Sequence, residues 1–199
     1  MSIGRRWMPS KVKVYEQILQ YLAIEGYPTE ANPDFREANV SDLVFSTIVP
    51  VLYSVQKMGR GIRLTREKEI TSVGNETGRV EESVVVGQIA VAEEKFVLVI
   101  EAKRTSIGQP IKKLLLAMKD AWDSNGGGLV YGFVTTGQHW QVLSYDGYRG
   151  RRHAKLLWYL MGWMRAKAWM KEGSVLVDCM FVALSDGGIV KKDMVVVAE

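Results

Sequence analysis

The sequence predicts an α/β fold, a mixed β-sheet flanked by helices, and three observations carry that expectation. Apolar residues recur at helical spacing over 11–25 and again from 42 to about 58. From 61 the period changes to two, as a half-exposed strand requires. A buried-type strand ending at 104 then runs into an amphipathic helix and a further strand. At 199 residues the chain is long enough for one good core, and no linker-like stretch divides it. We therefore expect a single domain over 1–199, with N-terminal helices over 1–59, a core over 60–147, and a basic helix and C-terminal hairpin over 148–199.

Composition narrows the class. Nearly half the residues are apolar and about a quarter charged, as in ordinary water-soluble domains, and no apolar run is long enough to predict a transmembrane helix. The net charge of +4 suits a polyanionic partner. Cys179 is the only cysteine, so neither an internal disulfide nor a thiolate metal cluster can form. Arg5 and Arg6 are not followed by the apolar stretch of a secretory leader, and an intracellular setting is expected.

In chain order, the helix over 11–25 stops at Gly26. The polar stretch from Pro28 to Asn39 is expected to be a loop, with Pro33-Asp34 as turn chemistry. Ser41 is placed to cap a second helix, Asp42 to Met58, bent at Pro50 and ended by Gly59. Strands are expected over Ile62 to Ile70 and Ser83 to Val91, with Val73 to Gly78 a loop and Glu93-Glu94-Lys95 the turn into a central strand. Pro110 opens a helix over Ile111 to Asp123, whose packing side carries Leu114, Leu115, Met118 and Trp122. Asn125-Gly126-Gly127-Gly128 breaks it, and strands follow over Leu129 to Thr135 and Trp140 to Tyr145. From Arg149 to Lys171 there are seven basic residues and no acid; on a helical wheel Trp158, Arg165 and Trp169 lie together with Lys155 nearby. Such a stripe suits stacking on bases and neutralising phosphates, although large aromatics on a long helix more often pack on the core. Ser174 to Glu199 is expected to form two strands about Asp186-Gly187-Gly188.

The unusual stretch is Phe96-Val97-Leu98-Val99-Ile100-Glu101-Ala102-Lys103-Arg104. Side chains alternate along a strand, so Glu101 and Lys103 share one face at the end of a core strand. Such charges either pair at an exposed strand end or bind something.

Glu-x-Lys on a hydrophobic strand, followed by a polar turn and a helix, resembles the third motif of the PD-(D/E)XK nuclease superfamily. Within it, LVIEAKR and the later VYGFVTTGQHWQVLSYDG look most like nuclease domains of crinkler-type effectors and the amino-terminal domains of type I restriction motor subunits. The resemblance covers residues 60 to 147 and implies a restriction-endonuclease-like sheet, a Mg²⁺- or Mn²⁺-dependent endonuclease acting on DNA, and, for crinkler-like effectors, a nuclear setting. It makes Glu101 a metal ligand, the Ala102 carbonyl a backbone ligand, and Lys103 the group that orients water or neutralises developing charge. The family also places an acid, normally Asp, on the preceding strand. Here aligning Val80-Glu81-Glu82-Ser83-Val84-Val85 sets Glu82 at that position, with Glu81 or Ser83 if the register slips by one. Glutamate adds a methylene, which displaces a positioned carboxylate.

Auxiliary candidates are Glu69 or Glu67 on the first strand and Gln109 at the start of the following helix. Asp42 stands where the superfamily keeps a variable acid, though an acid there is more often simply a first-turn helix acid. Arg104, Lys112, Lys113, Arg151, Arg152, Lys155 and Arg165 are candidates for nucleic-acid contact. With only His139 and His153, and neither a phosphate loop nor a nucleophile elbow, a zinc or histidine-based hydrolase is not expected. Two other readings compete. One is an inactive nuclease fold that binds nucleic acid or a protein; the other is an interaction domain in which Glu101 and Lys103 merely pair.

Overall fold

Helical periodicity at the N-terminus and strand periodicity after Gly61 produce two helices followed by a six-stranded sheet. The computed structural model describes residues 7–28, 34–70, 80–90, 93–104, 108–157 and 166–185, with backbone alone at 67–70, 80–90, 93–95, 108–109, 153–157 and 185. The elements are α1 (Met8–Glu25), α2 (Glu37–Gln56), β1 (Ile62–Ile70), β2 (Val80–Ala90), β3 (Glu93–Ala102), α3 (Gly108–Ser124), β4 (Val130–Thr135), β5 (His139–Tyr145), β6 (Gly150–Leu157), α4 (Ala166–Ala168) and α5 (Val175–Ser185), with one π turn (Trp169–Gly173) between the last two. The sheet order is β1-β2-β3-β4-β5-β6. Only the β3–β4 pair is parallel, because α3 carries the chain back across one face between them. The expected mixed sheet flanked by helices is the architecture observed.

Alternation along the central strands divides the core in two. Leu98 and Ile100 of β3, with Tyr131 and Phe133 of β4, belong to the larger core, which holds the buried faces of α1, α2 and α5. Val99, Val130, Val134 and Leu143 pack on the other face against Leu114, Met118 and Ala121 of α3. A Cβ at Gly132 would lie 2.4 Å from Met118 Sδ, so the absence of a side chain there lets α3 sit close over β4. At the far end of α3, the Asn125 amide accepts the Phe96 N–H and donates to the Phe96 carbonyl, both at 2.8 Å, holding the helix end to β3. By length and composition α2 alone among the described helices could cross a membrane, but its Val40, Leu43, Ile48, Val51 and Val55 are buried in the core.

Several expectations are corrected. Helix α2 starts at Glu37, not after Ser41: the Arg36 N–H donates to Asn39 Oδ1 at 2.8 Å, so Asn39 does the capping and Ser41 lies inside the helix. As expected, the helix runs on through Pro50, here to Gln56. Strand β2 starts at Val80 and includes Glu81 and Glu82, while Glu93, Glu94 and Lys95 pair with β2 as part of β3 and do not form the turn. Residues 73–78, expected as a loop, lie outside the described residues.

The basic helix is overturned over its first half. Residues 150–157 form β6, antiparallel to β5, with Tyr145 opposite Gly150 and Gln141 opposite Lys155. Asp146-Gly147 makes the hairpin turn: Asp146 Oδ1 accepts the N–H groups of Tyr148 and Arg149 at 3.1 and 3.0 Å, and Gly147 adopts φ +92°. The expected C-terminal strand over 175–185 is instead α5. Leu176, Val177, Met180, Phe181 and Leu184 are buried there, and Phe181 stacks on Trp7 with ring centroids 3.9 Å apart. An apolar run without alternation does not distinguish a buried helix from a buried strand, and packing on three elements overrode the β-preference of its valines. The remainder of the expected hairpin, 186–199, lies outside the described residues.

Beside α5, Lys11 Nζ pairs with Asp178 Oδ2 at 2.6 Å, and Trp169 donates its Nε1–H to the Lys11 carbonyl at 3.0 Å while stacking on Tyr15. Trp169 is therefore a core residue. The aromatic-basic stripe is not formed as expected, since Lys155 lies on a strand; Trp158 and Arg165 lie outside the described residues.

Candidate functional site

The apolar run of β3 drives its strand into the middle of the sheet, and this carries Glu101 inward with it. Glu101 is only 4 % exposed. Its parallel neighbour is Val134, and the next rung is completed beyond the strand by the Lys103 N–H, which donates to the Thr135 carbonyl at 2.9 Å. That bond fixes the backbone from which the lysine side chain leaves. Lys103 Nζ lies 3.5 Å from Glu101 Oε1 and 2.5 Å from Glu37 Oε1. Burial opposes the lysine's charge, but the hydrogen bond it donates to Glu37 and the nearby charge of Glu101 outweigh it and hold Lys103 above the ordinary lysine range. At neutral pH it is an ammonium ion.

Strand register bears directly on the preceding-strand acid. Ser83 pairs with Ile100 and Val84 with Val99, so one further step sets position 82 opposite position 101. On the other side Lys68 pairs with Glu82 and Glu69 with Glu81. Positions 68, 82 and 101 thus share one row, and neither 81 nor 83 falls in it. Glu69 belongs to the adjacent row, and Glu67 falls in the irregular stretch between Thr65 and Lys68.

The other candidates are spread over the surroundings. Ala102 links the charged pair along the backbone and is the last residue of β3. Gln109 is the second residue of α3, on which Lys112 and Lys113 are exposed. Arg104 is half-buried directly after Lys103. Arg151 and Arg152 are exposed on the sheet-edge strand β6, with Arg151 3.5 Å from Asp146. That edge lies three strands from β3, roughly 14 Å at the usual inter-strand spacing. Lys155 shares it, opposite Gln141. Asp42 pairs instead with Arg66 at 2.8 Å on the surface.

Glu37 is the residue that sequence reasoning missed. A helix start placed too late, at Ser41, left it in a supposed loop; the signal that would have found it is Asn39, positioned to cap the first turn. Glu101 is a buried carboxylate with an ammonium 3.5 Å away, a hard oxygen donor of the kind Mg²⁺ prefers. Among the described residues no three His, Cys, Asp or Glu side chains are gathered about one point. In comparisons with known proteins, the chain matches no family model, no curated protein and no solved structure.

Proposed function

We propose that this protein is a metal-dependent nuclease that hydrolyses phosphodiester bonds, with DNA as its substrate. The observation that carries the reading is the Glu101–Lys103 pair at the end of an interior strand, with Glu82 one step beyond the Ser83–Ile100 pair on the neighbouring strand. A buried charge is costly, and 4 % exposure for a carboxylate is better explained by a task than by stability. The PD-(D/E)XK resemblance supplies the task and agrees with three antiparallel strands followed by a helix and a parallel strand.

In this reading Glu101, Glu82 and the Ala102 carbonyl hold Mg²⁺, which when bound lowers the pKa of water and neutralises phosphate charge. Lys103 is held as an ammonium by its carboxylate neighbours and donates hydrogen bonds to a phosphate oxygen, countering charge that grows as the phosphorus becomes five-coordinate. Lys112 and Lys113, exposed on α3, and Arg104 neutralise neighbouring phosphates; Arg151 and Arg152 extend the basic surface along the sheet edge.

The test is digestion of supercoiled plasmid with Mg²⁺ or Mn²⁺, comparing the natural chain with Glu101→Ala and Lys103→Ala. Metal-dependent cutting that both substitutions abolish is the expected result. Absence of cutting with retained DNA binding would replace this reading with that of an inactive nuclease fold.

A further inference from the structure

Among the described residues Lys103 has two acidic neighbours, and the nearer is not the one that ends the strand before it. Glu37 Oε1 lies 2.5 Å from Nζ, against 3.5 Å for Glu101. The two acids also differ in setting: Glu37 is about half exposed, whereas Glu101 is buried. Glu37 comes from the first turn of α2, which is fastened to α1 independently of the sheet. Asn39 donates to Glu25 Oε2 at 2.8 Å, and the Tyr21 hydroxyl donates to the Asn39 carbonyl at 2.8 Å. The carboxylate therefore reaches Lys103 from a braced helix start, yet remains open to water.

An ammonium ion donates three hydrogen bonds, and a carboxylate and a phosphodiester oxygen are equivalent acceptors for it. We propose that Glu37 is a positioning residue that stands in for the phosphate: it holds Lys103 beside Glu101 in the free protein, and a nucleic-acid phosphate displaces it from the ammonium. This rests on the nuclease-site reading, since it requires a phosphate to reach Lys103. The exchange couples substrate arrival to a lysine already aimed, and it disfavours binding of weak anions that cannot outcompete a tethered carboxylate.

The experiment measures binding of a short fluorescent DNA duplex in EDTA by the natural chain, Glu37→Gln, Lys103→Met and the double variant, each first shown by circular dichroism to be folded. Glu37→Gln should bind about fivefold more tightly, the scale of one partly exposed ion pair released. On the Lys103→Met background the same substitution should give no comparable gain, because the contested donor is gone. Equal or weaker binding by Glu37→Gln, or the same gain with and without Lys103, would overturn the inference, the latter showing only a general loss of negative charge. Plasmid cutting separates this from the parent reading: cutting without the Glu37 effect removes the inference alone, and the effect without cutting removes the catalytic reading alone.

Discussion

Replacing Glu101 by Gln should remove activity without lowering stability, whereas replacing Lys103 by Met should lower both. The asymmetry follows from exposure. Glu101 is 4 % exposed and Lys103 about one-third exposed, at 3.5 Å. Breaking a fully buried ion pair from one side costs about 3–5 kcal/mol, because the remaining charge stays desolvated. Here water reaches the lysine side, so Lys103→Met should cost about 1–3 kcal/mol, nearly all of it from stranding Glu101. The exposed Glu37 turns to solvent at little cost. Glu101→Gln instead deletes the buried charge while keeping its shape, and its effect should lie within about 1 kcal/mol of zero, with stabilisation the favoured sign. A difference of about 2 kcal/mol corresponds to roughly 4–8 °C in Tm for a chain of this length. Thermal denaturation followed by circular dichroism at neutral pH reads it directly. If Glu101→Gln melts as low as Lys103→Met, the carboxylate is a structural partner and the functional argument from its burial fails.

Other outcomes test the fold and the proposed surface. Gly132→Ala should destabilise by about 1–3 kcal/mol, since its Cβ would meet Met118 Sδ at 2.4 Å and Leu114 Cδ2 at 2.9 Å; an unchanged melting curve would mean that α3 is seated less tightly than described. Trp169→Ala should cost about 3–5 kcal/mol, measured by urea unfolding, through loss of core packing and the bond to Lys11. Arg151→Ala and Arg152→Ala should weaken DNA binding and each reduce the slope of log affinity against log salt by about one; unchanged slopes would remove β6 from the binding surface. Burial, reinforced by the charge of Asp178, pushes the Cys179 thiol from 9.0 up to about 11. The folded state therefore keeps a proton that the unfolded state releases over that interval, so this group's contribution to stability falls as pH rises from about 9 to about 11. A Cys179→Ala chain should lack that component of the alkaline decline, and thiol labelling of the natural chain at neutral pH should be slow.

The sheet was legible where one face is buried and the other marked by polarity. Ile62 to Ile70 and the run ending at Glu101 declared themselves by period and by β-branched content. The charged pair was legible for the complementary reason: Glu and Lys end a run in which charge is otherwise absent. Long-range pairing hid the rest. Nothing local shows that Glu37 meets Lys103, because 66 residues separate them and the contact depends on how α2 docks. The strand β6 was lost to a competing signal, a basic run with helical spacing of its aromatics, although Asp146-Gly147 directly after a strand marks a hairpin turn. The run Val175 to Leu184 offered no period to choose between helix and strand, and only its burial among α1, α2 and the sheet decided it.

The clamp between Asn125 and Phe96 gives this protein a chemical lifetime. Asn125 is followed by Gly126, the neighbour that least hinders attack of the next backbone nitrogen on the side-chain amide, and asparagines are among the thermolabile residues. Deamidation would leave a carboxylate at 125, which still accepts the Phe96 N–H but has no hydrogen for the Phe96 carbonyl, now served at 2.8 Å. The loss would fall at the opposite end of β3 from Glu101, so aged protein would first loosen where the strand begins, leaving its charged end until later.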